Sequence, residues 1–394
     1  MLEKIVIDNF KSFSQRTEIS FAKTNYAILP QNVSENGILK GTIFVGPNAS
    51  GKSNVILAIK FLLDSLFLNN SINSDIYRCL FTDNLTFTLE YYFLIDGKHI
   101  IYDIDINQSK PFITESLIVD DFLLFERIGQ NAWLINSKDE KQSFDENDID
   151  KETLFLRTLY FNTKFTWNKT LRLWMDYLRA SIYINAYDRV KLGYGIDNQE
   201  MDLEVYLKND GDKIINEFFD EYGFNQKIEY EHEVKSETIT IEVDGGEDKR
   251  AVFFRRKNIL TPIPFYQESL GNQNLLQMLP AFFKSISQGG MLLIDEFSSG
   301  FHNDLEELLV KYFMEKSFNS QMIFVSHSTN LLSNSLLRPD QEYSVEFCDK
   351  KGSVVKRFSS ESPRMAQNVE KMYLSGVFGG LPNYGKSFDE DSDK

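Results

Sequence analysis

Cysteine is nearly absent: Cys79 and Cys348 are the only two in 394 residues. They form neither a metal-ligand nor a disulfide pattern, and read as small buried apolar side chains. A reducing, cytoplasmic setting is the expectation. Long apolar runs are missing too. Nothing approaches membrane-spanning length, and the opening Met1-Leu2-Glu3-Lys4 does not read as a signal peptide, so no membrane partner is expected. Positive charge is scarce. Lys and Arg total 42 against 58 Asp and Glu, a net charge of −16, which argues against broad nucleic-acid binding by a single chain while leaving room for a local basic face. Arg255-Arg256-Lys257 is the densest short basic run and reads as solvated. Neither sustained heptads nor internal repeats occur, which excludes a long coiled coil.

What is present is a substantial core, with 42% hydrophobic residues, and one dominant motif. The length suits two or three domains, or one large α/β domain with an insertion. The motif is Gly46-Pro47-Asn48-Ala49-Ser50-Gly51-Lys52-Ser53, the P-loop pattern G-x-x-x-x-G-K-S. It follows an apolar run, Thr42 to Val45, and opens onto a helix-like stretch from Asn54 to Leu66. Gly46 and Gly51 permit the backbone N–H groups to turn inward as an anion nest. The following helix adds the positive end of its dipole. Lys52 reaches β- and γ-phosphates and the Ser53 hydroxyl suits Mg²⁺. A nucleoside triphosphate is therefore the expected ligand.

Around the motif, residues 2–13 read as a strand running into a turn, and Ile19 to Phe21 as a second strand. Phe87–Ile95 and His99–Ile106, joined by Asp96-Gly97-Lys98, read as a hairpin. Further strand-like stretches lie near Ser116–Arg127 and Ala132–Ile135, followed by an acidic loop over 137–152. From Leu154 to Phe224 the period is helical, with Leu171, Trp174, Met175 and Leu178 on one apolar face. Residues 226–257 alternate again, with Gly245-Gly246 as the turn. The expected division is an N-terminal half over 1–160 with the P-loop and an antiparallel lobe, a helical and β-hairpin insertion over 161–260, a C-terminal half over 261–386, and a disordered acidic tail over 387–394.

The C-terminal half supplies the second part of a site. Gly289 to Glu296 is an apolar strand ending in two carboxylates, which a parallel sheet delivers at its ligand-binding edge. Asp295 suits Mg²⁺ and Glu296 suits polarising a water. Ser269 and Gly271 stand just before a helix-like run from Asn274 to Phe283, a second helix-N-terminus anion site. Gln321 to Ser328 is one more buried strand, ending in His327, a candidate γ-phosphate sensor. Of the four histidines, His302 follows Glu296 in a loop and reads as a subunit-contact or nucleotide-adjacent residue. His99 and His232 read as surface residues.

Taken in order, Ile7-Asp8-Asn9-Phe10-Lys11-Ser12-Phe13, the P-loop, a Ser-x-Gly signature, Asp-Glu and a late His resemble the ABC-type ATPase heads of SMC, RecF and OLD proteins. The coiled-coil-free branch of abortive-infection and anti-phage systems (RloA- or AbiLi-like, and the PARIS ATPase) is similar also in Asn368 to Pro382 and in the Phe87–Ile106 hairpin. The resemblance implies an α/β, two-lobed head with a P-loop mixed sheet, flanking helices and a compact insertion. It implies ATP and Mg²⁺ as cofactors and slow ATP hydrolysis. The nucleotide-binding residues would be Lys11, Gly46, Pro47, Asn48, Ala49, Ser50, Gly51, Lys52, Ser53 and Asn54, with Ser269, Gly271 and His302. Ser53 and Asp295 would hold the metal, Glu296 would be the general base and His327 the switch residue. Ser269 and Gly271 would act on ATP held by an opposing subunit, so that the site closes only in an ATP-sandwiched homodimer or higher oligomer. The implied role is a sensor in phage defence, answering a phage-encoded trigger and controlling a separate effector, a nuclease or toxin. A RecF-like DNA-repair clamp is the alternative, and contact with nucleic acid stays open. A Q-loop glutamine is not placed; Gln142 fits by order only and Asn162 is a stand-in.

Overall fold

The computed structural model describes residues 1–382 apart from 69–71, 73, 108–111, 136–140, 196, 232, 236–239, 243–249, 299 and 350. The turn expected at Gly245-Gly246, His232 and the acidic tail thus lie outside the described residues. Along the chain come β1 (Leu2–Asp8), β2 (Thr17–Ser20), β3 (Gly41–Val45), α1 (Lys52–Phe67), β4 (Thr86–Ile95), β5 (Lys98–Asn107), β6 (Phe112–Val119), β7 (Phe122–Ile128), β8 (Asn131–Ile135) and β9 (Lys141–Phe144). Then follow α2 (Phe155–Thr163), α3 (Lys169–Arg179), β10 (Ile182–Asn185), β11 (Val190–Gly193), α4 (Leu203–Tyr206), α5 (Asp212–Glu221), β12 (Gln226–Glu231), β13 (Glu233–Lys235), β14 (Thr240–Glu242), β15 (Ala251–Arg256) and β16 (Ile263–Pro264). The last third holds α6 (Leu270–Gln288), β17 (Gly290–Asp295), α7 (Asn303–Lys316), β18 (Ser320–Val325), β19 (Glu342–Cys348), β20 (Gly352–Arg357) and α8 (Val369–Leu374).

Two large sheets organise these elements. One is antiparallel, in the order β2-β1-β4-β5-β6-β7-β8-β9. The other has the order β11-β10-β17-β18-β3-β19-β20, parallel from β10 through β19 with antiparallel edges. This mixed α/β architecture is the expected fold class. The hydrophobic run Met291 to Ile294 shows no alternation because both faces of its strand are covered. Met291 and Leu293 join the core containing α1 and the antiparallel sheet. Leu292 and Ile294 face α6 and α7 on the other side. The Tyr91 hydroxyl, donating to the Ala58 carbonyl at 2.6 Å, ties the antiparallel sheet to α1. On α3, Leu171, Trp174, Met175 and Leu178 are all buried, as their spacing predicts.

Three local expectations are corrected. The stretch Ser116–Arg127 is not one strand: Asp120 and Asp121, at φ 48° and 64°, turn β6 into β7. Part of the acidic loop over 137–152 forms β9, which pairs with β8. Within the helical stretch, Ile182–Asn185 is a strand of the core sheet, running parallel to β17. Segment 161–260 therefore contributes β10 and β11 to the P-loop sheet, and β12 and β15 to a separate three-stranded sheet completed by β16 just beyond it. The hairpin at Asp96-Gly97 forms as expected, with Ile95 facing Lys98 and both turn residues at positive φ.

Candidate functional site

Parallel strands deliver their carboxyl ends to one edge, and here four of them do so together. β3 opens into the P-loop, β17 ends at Asp295-Glu296, β18 leads to Ser326-His327, and β10 leads to Ala186-Tyr187. A cleft of about 750 Å³ lies along this edge, lined by residues 48–54, Tyr187, Glu296 and His327.

The P-loop is held by close approach. Gly46 (φ 152°) lies against the Val345 carbonyl, which a Cβ there would meet at 2.1 Å. Gly51, at φ 100°, packs against the Ser353 and Ser12 hydroxyls. These two serines hydrogen-bond to one another at 2.6 Å, Ser353 Oγ reaches the Ser50 carbonyl, and Asn54 Nδ2 donates to Ser12 Oγ at 2.6 Å. Lys52 is buried, and its Nζ donates to the carbonyls of Gly46 (3.0 Å) and Pro47 (2.7 Å). Burial pushes its pKa down, while Glu296 and Asp295 oppose that shift.

The Ser53 hydroxyl donates to Asp295 Oδ1 at 2.8 Å, bringing the two candidate metal ligands together. Burial raises the Asp295 carboxyl above its ordinary range. Glu296 adopts φ 55°, a left-handed conformation uncommon for a non-glycine residue. The turn is fixed by the next residue: Phe297 N donates to the Val325 carbonyl at 2.9 Å, and its ring is buried. The turn sets Glu296 Oε2 3.5 Å from His327 Nε2. The bond to His327 holds the Glu296 carboxyl below its ordinary pKa.

The other candidate residues lie apart. Ser269 is exposed and caps α6, its hydroxyl accepting from Asn272 N at 3.3 Å. Gly271 packs on the loop after Glu296, since a Cβ there would meet the Gly300 carbonyl at 2.4 Å. His302 is exposed and caps α7, accepting from Asp304 N. Lys11 donates its backbone N–H to Tyr77 and does not line the cleft. Gln142 sits on edge strand β9 opposite Leu134, and Asn162 lies on α2, so neither stand-in for the Q-loop reaches the cleft. From the end of β10 it is Tyr187 that lines the cleft, while Asn185, in register with Asp295, lines a separate small cavity. The signal was Ile182-Tyr-Ile-Asn185, four residues whose strand character is hidden inside a helical stretch. His99 is exposed, at 3.2 Å from Glu3. Arg255 pairs with Glu229 and Arg256 with Glu268. Among the described residues no helix is long and apolar enough to cross a membrane.

A family model described as "AAA domain, putative AbiEii toxin, Type IV TA system" matches residues 42–333. No curated protein matches the chain. Similar solved structures include an SMC head domain from Thermotoga maritima, at 15% identity and a TM-score of 0.46, covering 90% of this chain and 97% of that one. An SMC head bound to the C-terminal winged-helix domain of ScpA matches at 15% identity and a TM-score of 0.48, covering 92% and 99%. An SMC head with an extended coiled coil, bound to a ScpA domain from Pyrococcus furiosus, matches at 12% identity and 0.47, covering 92% and 97%.

Proposed function

Because this chain belongs to the AbiEii-type AAA-domain family, we propose that it is an ATP-hydrolysing regulator in a bacterial anti-phage or toxin–antitoxin system, controlling a separate effector. The convergence of Lys52, Ser53, Glu296 and His327 on one cleft, with Asp295 bonded to Ser53, carries the catalytic half of this reading. The P-loop amides cradle the phosphates, and Lys52 exchanges its carbonyl partners for phosphate oxygens. A hydroxyl and a carboxylate already in contact, at the mouth of an anion nest, fit Mg²⁺. Ser53 and Asp295 would hold the ion, which would supply positive charge against the phosphate oxygens. Glu296, kept ionised by His327, accepts a proton from the attacking water. His327, beside Glu296 on the cleft wall, would contact the γ-phosphate.

The defence role and the effector follow from family membership and from the resemblance of the motifs. Ser269 and Gly271 lie outside the cleft of their own chain, which supports action on nucleotide held by a second copy. ATP then favours a closed head-to-tail pair over the open one, and hydrolysis resets it. The reading is tested by light scattering of Glu296→Gln with and without Mg²⁺-ATP. Removing the base traps the closed pair, so mass rises, or an existing oligomer resists dilution, only with ATP. If nucleotide binds while mass and dilution behaviour ignore it, the paired-site reading is wrong.

A further inference from the structure

Glu296 and His327 stand on different loops, and their 3.5 Å separation depends on how those loops are tied together. The tie is a cluster of three hydroxyls. Ser298 Oγ and Ser326 Oγ hydrogen-bond to each other, Ser328 Oγ donates to Ser298 Oγ at 2.9 Å, and Ser328 N donates to Ser326 Oγ at 3.0 Å. Ser298 lies two residues after Glu296, while Ser326 and Ser328 flank His327. Beneath them, on the first turn of α7, sits Glu306, only 1% exposed. Its carboxyl lies beside the Ser328 and Ser298 hydroxyls, and its buried Oε2 has no hydrogen-bond partner. A second contact runs alongside: Asn330 Nδ2 donates to Glu307 Oε1 at 3.1 Å.

A carboxyl this deeply buried costs stability unless it is hydrogen-bonded, so its place against the hydroxyls of two loops calls for a role beyond packing. We propose that Glu306 is a positioning residue, gathering Ser298 and Ser328 so that the loops bearing Glu296 and His327 hold a fixed separation. This rests on the reading of Glu296 and His327 as the hydrolytic pair.

The test compares Glu306→Leu, Glu306→Gln and the double variant Ser298→Ala/Ser328→Ala with the full-length chain. Each should bind ATP within about twofold of wild type, because the P-loop contacts are untouched. Turnover should fall roughly a hundredfold in Glu306→Leu and in the serine variant, the size of loss expected from misplacing reacting groups by about 1 Å. Glu306→Gln, which can still accept a hydrogen bond, should recover part of it. Adding Glu306→Leu to the serine variant should cost nothing further, since both remove one brace. Amide exchange should quicken in 294–298 and 325–330 and stay unchanged in the antiparallel sheet. Wild-type turnover in Glu306→Leu, or ATP affinity falling in step with turnover, overturns the proposal. Should Glu306→Leu not fold, the serine variant and Glu306→Gln decide it. If wild-type hydrolysis proves independent of Glu296, the functional reading falls, and amide exchange alone judges the brace.

Discussion

At Gly51 a side chain meets two obstacles at once: φ of 100°, and the Ser353 and Ser12 hydroxyls at 2.0 and 2.5 Å from the place of a Cβ. Gly51→Ala should therefore lower stability by about 1–3 kcal/mol, read from the urea midpoint, and should weaken ATP binding because the nest is displaced. Lys52→Ala leaves the fold intact and should abolish ATP binding by calorimetry; wild-type affinity in that variant removes the site assignment. Glu342 lies on β19 fully buried, with neither carboxyl oxygen hydrogen-bonded. Burial raises its pKa well above the ordinary 4.5. The folded chain thus holds a proton that the unfolded chain releases, so stability falls as pH rises above about 4.5 toward the folded value. Glu342→Leu should stabilise the protein by about 1–3 kcal/mol, and denaturation across pH 4–8 should show the gain growing with pH.

Single elements carry the links between the cleft and its surroundings. On α8, Glu370 Oε1 accepts from Thr329 Oγ1 at 2.8 Å, two residues past His327, and Asn334 Nδ2 donates to the carbonyls of Met365 and Gln367. Glu370→Ala should speed proteolysis within 365–382 while leaving ATP affinity unchanged; unchanged proteolysis removes Glu370 as the anchor. Elements with strong local chemistry were legible in the sequence. The P-loop declares itself through its glycines, β17 and β18 through continuous apolar runs, and the β4–β5 hairpin through Asp96-Gly97. β10 was not legible, because four residues after a helix carry little pattern and its identity comes from pairing with β17, over a hundred positions away. The Ser12–Ser353 contact behind the P-loop and the hydroxyl cluster under His327 were hidden for the same reason. Both are made by small polar residues that are common in loops and gain meaning only by juxtaposition.

For the whole molecule, charge is the governing term. The net charge is −16, and two of the three residues of the densest basic run, Arg255 and Arg256, are already paired with glutamates. Duplex DNA at low ionic strength should accordingly show no salt-dependent retention of the protein, by fluorescence anisotropy; a steep salt slope would revive the DNA-clamp alternative. The sheet order has a further consequence, in time. The strand bearing the P-loop lies between β18 and β19, both from the last quarter of the chain, and Gln341 binds the Gly41 carbonyl across 300 positions. A ribosome making roughly 5–20 residues per second thus completes the neighbours of that strand tens of seconds after the strand itself emerges. Broken or prematurely ended chains lack the sheet on which the nucleotide edge depends. The nucleotide edge thereby stays incomplete until nearly all of the chain has been translated.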